Sequence, residues 1–318
     1  MDNLSLTQTE LEVFKTNGWI GPFDSGVDQD DIEYCHSMTQ SVVETSRVNP
    51  IYGRHSVRDW HLIDDKILGL FQRDEITHRV KSILNGQPIK LWRSKIFSTP
   101  PKSKGIGWHQ EWGHFNGEEI GNNIPALKPI NYDDYWNLSI WVALTDITLE
   151  SSPMQFLNKS HNHRYEIKMV PIVDSAFFVN PFDDIHDKEE LLEKVTKSTL
   201  LLDINTTLLL EGVNCEAYSL SELKAMCWKK MQSYTAAVTM PFDTEENEKT
   251  VLLKRGQFII FSERTMHRSL PNTTDLTRLA INCRMTPATT EVYPGKLEGN
   301  FIDGSNLDIS KHRNVEFV

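Results

Sequence analysis

The sequence predicts a mainly β protein with flanking helices, a barrel fronted by a helical layer. Three observations lead there. The first third of the chain carries apolar residues at helical spacing between well-marked helix ends. From Ile89 onward the pattern changes to alternation, in Ile89–Thr99, Trp136–Ile147 and Arg278–Met285. Among these strands stands His109-Gln110-Glu111, answered far downstream by His267 and Arg278, a layout that a barrel mouth can gather. A chain of 318 residues could hold two average domains, but barrels with helical additions reach this length as one. We therefore expect a single domain over 1–318. A mainly helical layer spans 1–88, the barrel core 89–172 and 236–290, and a helical insertion or lid 173–235.

Each element has its own signal. Thr7-Gln8-Thr9-Glu10 is a capping box with Leu6 and Leu11 as its hydrophobic staple, and Gly18 is placed to end that helix in a left-handed turn. Helical spacing returns from about Asp30 to Ser46 through Ile32, Cys35, Met38 and Val42. It returns again from about Asp65 to Leu84 through Ile67, Leu70, Phe71, Ile76 and Val80. The strand Ile89–Thr99 divides into Leu91, Arg93, Lys95 and Phe97 on one face and Trp92, Ser94 and Ile96 on the other. Arg93 and Lys95 either face the same pocket or form a solvated strand face, and the solvated face is expected. After the Pro100–Gly105 loop, Trp108–Trp112 reads as a strand, and Gly117–Asp134 as an irregular polar loop. In Trp136–Ile147, Leu138, Ile140, Val142 and Leu144 form an apolar face suited to helices, whereas Asn137, Ser139, Trp141 and Ala143 suit a pocket wall.

The segment Val173–Ala236 breaks this pattern with charged helical stretches at Asp187–Ser198 and Ser221–Gln232. It reads either as a cover for the barrel mouth or as a peripheral decoration. Val251–Phe261 and Arg278–Met285 are the last strands. The second turns Arg278, Ala280, Asn282 and Arg284 to one side, a row that needs anionic company if it faces inward.

The motif carries the chemistry. On a strand, residues i and i+2 point the same way, so His109 and Glu111 aim an imidazole and a carboxylate at one point. With a distant histidine they compose the 2-His-1-carboxylate triad that suits non-heme Fe(II) with open positions. His267, beyond the apolar run Phe258–Phe261, supplies the third ligand. Arg278 is a planar cationic fork suited to a carboxylate cosubstrate. His114 points away from this site, and His161 and His163 lack a carboxylate at matching spacing and read as part of a solvated turn.

Charge and cysteines exclude other classes. A net charge of −11 leaves no basic stripe for nucleic acid and no attraction to an anionic membrane. No apolar run approaches a membrane span, and Met1–Ser5 shows no signal-peptide pattern. Cys35, Cys215, Cys227 and Cys283 lack metal-site spacing and fit reduced thiols, so a cytoplasmic protein is expected.

With these residues in view, the chain resembles the phytanoyl-CoA dioxygenase superfamily of Fe(II)/2-oxoglutarate enzymes. Within it, the likeness is to the branch containing carrier-protein-dependent halogenases. The likeness rests on Trp92–Phe97, Gly107–Glu111, Trp141–Asp146, Asn158-Lys159-Ser160-His161, and the order His267, Arg278, Arg284. It implies a double-stranded β-helix (jelly-roll, cupin-like) core. It also implies Fe(II) on His109, Glu111 and His267, with 2-oxoglutarate and O2 as cosubstrates. Arg278 would pair with the distal carboxylate of 2-oxoglutarate, and Trp141 would offer its indole N–H as a further contact. Arg284 joins this cosubstrate set, with the substrate or a buried acid as its other two candidate partners.

The halogenases of that branch carry a small residue where Glu111 stands, which leaves a metal position for chloride. A retained carboxylate therefore implies hydroxylation of an unactivated C–H bond. The expected substrate is a small, amino-acid-like molecule, free or tethered to a carrier protein. Halogenation, desaturation or cyclisation on the same scaffold, and a non-catalytic jelly-roll binding protein, are the alternatives.

Overall fold

Thr7 opens α1 (Gln8–Asn17) with the reciprocal cap its motif predicts. The Thr7 hydroxyl accepts from the Glu10 N–H, and the Glu10 carboxylate accepts from the Thr7 N–H at 2.8 Å. Gly18 ends the helix at φ +81°, its N–H donating to the Phe14 carbonyl. The computed structural model describes residues 4–51, 54–111, 127–128, 136–174, 180–183, 185–197, 200, 206–239, 247–292 and 315–317. His114 and most of the Gly117–Asp134 loop lie outside the described residues.

From α1 the chain runs through β1 (Trp19–Asp24), α2 (Gln29–Glu44) and a ribbon of β2 (Val48–Asn49) with β3 (Arg54–His55). The single helical stretch read over Asp65–Leu84 is two helices, α3 (Asp65–Gln72) and α4 (Asp74–Ile83). Arg73 between them is extended (ψ 137°), which interrupts the ladder. Next come β4 (Ile89–Thr99), β5 (Leu127–Lys128), β6 (Leu138–Ala143) and β7 (Met154–Leu157). A ribbon of β8 (Ile167–Pro171) and β9 (Thr235–Thr239) brackets α5 (Lys188–Thr196) and α6 (Leu220–Met231). The chain then adds β10 (Glu248–Val251), β11 (Gln257–Ser262), β12 (His267–Ser269), β13 (Arg278–Pro287), β14 (Glu291–Val292, paired with β5) and β15 (Val315–Phe317).

Two antiparallel sheets make the double-stranded β-helix. The larger has the order β1-β11-β6-β13-β4-β15, the smaller β10-β7-β12. The continuous strand read over Val251–Phe261 is two strands in different sheets, because Gly256 turns the chain at φ +86°. On the outer face of the large sheet, Leu138, Ile140, Val142 and Leu144 pack with Phe14, Ile32 and Ile67 of the helices, as the alternation predicts. Between the sheets lie Trp141, Ala143, Phe156, Ile259, Phe261 and Ala280. Each fully buried large side chain there contributes about 1.5–3 kcal/mol.

One register detail overturns the reading of β4. Arg284 of β13 faces Arg93, but Met285 faces Leu91, so Trp92 is an extra residue in a β-bulge. The bulge shifts the phase by one. Leu91 therefore joins the helix-side core, while Arg93 beyond the bulge is buried at 5% exposure and is not on a solvated face. The inserted segment has its own core, with Ile185, Leu191, Val195, Leu223, Cys227 and Met231 buried together. Among the described residues no helix is long and apolar enough to cross a membrane.

Candidate active site

The His109–Glu111 stretch is held by the segment before β12. His109 and His267 exchange both backbone hydrogen bonds at 3.0 Å, and the Glu111 N–H donates to the Glu263 carbonyl at 2.9 Å. The stretch is thus extended with a single bridge at His109, not the regular strand its alternation predicts. The reason is visible in the partner: between Glu263 and His267 the chain makes a turn, so no continuous ladder forms. Directly opposed residues on antiparallel segments share a face, and the two imidazoles meet with ring centroids 4.2 Å apart.

Gln110 points the other way and fixes the backbone. Its amide donates to the carbonyls of His163 at 2.7 Å and Arg264 at 2.6 Å, and accepts from the Tyr165 N–H. Ser160 steadies the other histidine by accepting from the Met266 N–H at 2.8 Å.

Both histidines have their tautomer set. His109 Nδ1 lies 2.8 Å from the Gly107 carbonyl, and His267 Nδ1 lies 2.8 Å from the Thr265 carbonyl. A carbonyl only accepts, so each Nδ1 carries the proton and each Nε2 keeps its lone pair. Desolvation keeps both rings neutral: it lowers His109, and together with the repulsion that a second proton on the pair would meet it brings His267 down to about 3.

Glu111 is drawn toward Arg284, which pairs with both its oxygens. Desolvation would raise the Glu111 carboxyl, but the Arg284 charge and hydrogen bond outweigh it and bring it down to about 2. Among the described residues no group of three His, Cys, Asp or Glu side chains is spaced to hold a metal ion. Both carboxylate oxygens are engaged by Arg284, while the Glu111 charge still acts on both rings. A carboxylate has lone pairs beyond those two contacts, so the donor set fits Fe(II).

Arg278 lies on the same inner row of β13, 3% exposed, with its guanidinium over the Trp141 ring at 5.2 Å and one hydrogen bond to the Ser152 hydroxyl. Its Nε and Nη1 are buried without partners. Burial lowers it to about 10, so it remains a cation at neutral pH. A buried cation with unspent donors calls for an anion. Trp141 lays the face of its ring against Arg278, and its indole N–H makes no hydrogen bond among the described residues.

Three buried polar residues escaped the sequence reading as site residues. Glu263 is fully buried with both carboxyl oxygens unpartnered, and desolvation pushes it up to about 8. Asn137 accepts from the Trp92 indole at 3.0 Å but leaves its amide nitrogen unsatisfied, and the Ser139 hydroxyl has no partner. Asn137 and Ser139 were legible as pocket wall; Glu263 follows an apolar run, where nothing marks an inward carboxyl. His161, read as part of a solvated turn, is buried and anchors the end of α1, its Nε2–H donating to the Lys15 carbonyl at 3.0 Å.

The model of the phytanoyl-CoA dioxygenase (PhyH) family matches residues 37–280. No curated protein matches the chain. Among solved structures it resembles CytC3 with Fe(II) and alpha-ketoglutarate, at 19% identity over 98% of this chain and 88% of that one, TM-score 0.57. It also resembles the non-heme monooxygenase ThoJ in apo form (15%, 92% and 82%, 0.56). A third is SnoN, a non-heme alpha ketoglutarate dependent epimerase from nogalamycin biosynthesis (16%, 90% and 83%, 0.53). At these identities the likeness is one of fold.

Proposed function

Because this chain belongs to the phytanoyl-CoA dioxygenase family, we propose that it hydroxylates an unactivated C–H bond of an amino-acid-like small molecule, with iron held by His109, Glu111 and His267. Enzymes of this family work with Fe(II), 2-oxoglutarate and O2. The observation that carries the reading is the histidine pair, whose Nδ1 protons are both spent on backbone carbonyls. That arrangement presents two neutral Nε2 donors side by side and fixes their ring planes before any metal arrives. Glu111 adds the anionic oxygen donor. Arg278 anchors the distal carboxylate of 2-oxoglutarate, with Trp141 beneath it.

When bound, iron with 2-oxoglutarate and O2 supplies the oxidising power that no side chain has. The protein's share is positioning and dryness: Phe156 and Phe261 flank His267 at 6.1 and 4.9 Å and keep bulk water from the metal face.

Anaerobic titration with Fe(II) and 2-oxoglutarate tests the proposal through the weak visible charge-transfer band of the chelate. The band should appear, and fade on exposure to oxygen. His267→Ala should weaken Fe(II) binding by more than ~100-fold in equilibrium dialysis. Arg278→Met should keep iron but need about thirtyfold more 2-oxoglutarate for the band. Iron uptake without any band would refute the Arg278 assignment.

A second reading has one observation behind it: the Glu111 carboxylate is committed to Arg284. If it stays there, iron rests on two histidines and keeps a position for a halide. Chloride would then perturb the charge-transfer band and enter the product; a product gaining one oxygen atom, indifferent to chloride, excludes it.

A further inference from the structure

At the Arg284 end of the barrel a second guanidinium is buried without a counter-ion among the described residues. Arg93 is 5% exposed, faces Arg284 across the β4–β13 ladder, and makes no hydrogen bond or ion pair among the described residues. Its one recorded contact is with the adjacent Trp92 ring, 5.2 Å from Cζ. Its Nε is sealed from solvent. Glu263, a buried acid at the same end, has no hydrogen bond either, so it does not neutralise Arg93.

Besides Glu263, two unsatisfied side chains at this end, Ser139 and Asn137, can donate hydrogen bonds. Ser139 faces Arg284 from the β6 side, with its hydroxyl unpartnered. Asn137 is tied to Trp92 through its carbonyl oxygen, which leaves its amide N–H groups unspent. Unbroken pairing from Arg278 opposite Thr99 to Arg284 opposite Arg93 keeps Arg93 on the inner row, and the β-bulge at Trp92 turns only the residues before it to the other face.

We propose that Arg93, with Ser139 and Asn137, is the seat for a carboxylate of the substrate, separate from the cosubstrate seat at Arg278. The inference rests on the oxygenase reading for the identity of the occupant as substrate. Two arguments support a carboxylate at its own seat. A single guanidinium with two neutral donors balances one negative charge, and its planar fork matches two carboxylate oxygens. The two seats are also too far apart to share one small dicarboxylate. Arg93 is opposite Arg284 and Thr99 is opposite Arg278, six residues along the ladder, or about 20 Å of strand.

The test uses propionate as probe and propionamide as its uncharged counterpart. Both are added to the protein loaded with Mn(II) and 2-oxoglutarate, which cannot turn over. The readout is saturable, Mn(II)-enhanced relaxation of the probe. Propionate should bind and propionamide should not. Arg93→Met should weaken propionate by about thirtyfold or more while leaving 2-oxoglutarate affinity within about twofold. Arg93→Lys, which keeps the charge but loses the fork, should fall between and covers the case in which the methionine variant does not fold.

No saturable propionate binding in the wild type, or equal binding of the amide, overturns the proposal. So does an equal loss of 2-oxoglutarate affinity in Arg93→Met, which would make Arg93 part of the cosubstrate seat. The same titration is repeated on metal-free protein by thermal shift. Arg93-dependent binding there, in a protein that takes up neither Mn(II) nor 2-oxoglutarate, would sink the oxygenase reading and leave the carboxylate seat standing.

Discussion

A single nitrogen decides what each histidine of this barrel can do. His109 and His267 give their Nδ1 protons to backbone carbonyls and keep Nε2 as a donor atom for a metal. His161 is wired the opposite way: Nε2–H goes to Lys15, and a buried Nδ1 has no partner. Burial lowers the affinity of His161 for a proton, outweighing the opposing effect of the Lys15 carbonyl. Its folded-state pKa therefore lies below the unfolded value, so the unfolded chain binds the extra proton first. The stability tied to a neutral His161 is complete above the ordinary histidine range and is lost as pH falls through it. His161→Gln, which keeps a donor for Lys15 and cannot titrate, should show a shallower fall in melting temperature between about pH 7 and pH 5 than the wild type. Parallel curves would show that proton uptake at this position is not coupled to unfolding. The meeting of His109 with His267 was legible from the sequence, because their order along the chain survives without a regular strand. For Arg93 the sequence offered both a pocket and a solvated face and did not decide between them, because an alternating cationic face looks the same in either setting.

Elements were legible where punctuation and periodicity agreed. The capping box of α1 and the two faces of β6 and β13 stand as read. The misses came from single residues that change phase or direction without an obvious mark. Trp92 inserts one residue into β4, Arg73 divides a helix without glycine or proline, and Gly256 splits one apolar run between two sheets. Gly18 shows how tightly such junctions are built. A Cβ there would lie 2.5 Å from Thr265 Oγ1 and 2.6 Å from His161 Nδ1, in a backbone of φ +81°. Gly86 has a similar φ of +75° with nothing within 4 Å. Gly86→Ala should therefore cost only the left-handed strain, about 1–2 kcal/mol. Gly18→Ala should cost more, by roughly 1–3 kcal/mol of overpacking. Equal chemical-denaturation midpoints for the two variants would show that the α1–β1 junction yields without strain.

At the scale of the molecule, the barrel and the insertion bury separate cores, joined through the β8–β9 ribbon. The insertion was visible in the sequence only as a break in alternation, since charged helical stretches do not say what their apolar sides meet. Its core is smaller than the one between the large sheet and the helices, so hydrogen exchange should find α5 and α6 opening at lower free energy than β6 and β13. Identical protection would make the chain one cooperative unit.

The far edge of the large sheet carries a different consequence. Val315–Phe317 lie along Ile89–Leu91, so three residues from the end of the sequence cap the outer edge of β4. Clipping them would bare a row of amide donors and acceptors beside Leu91, a surface to which another chain can add a strand. Removal of β15 should thus turn a well-behaved preparation into one that self-associates, with the histidine pair and the arginines inside the barrel untouched.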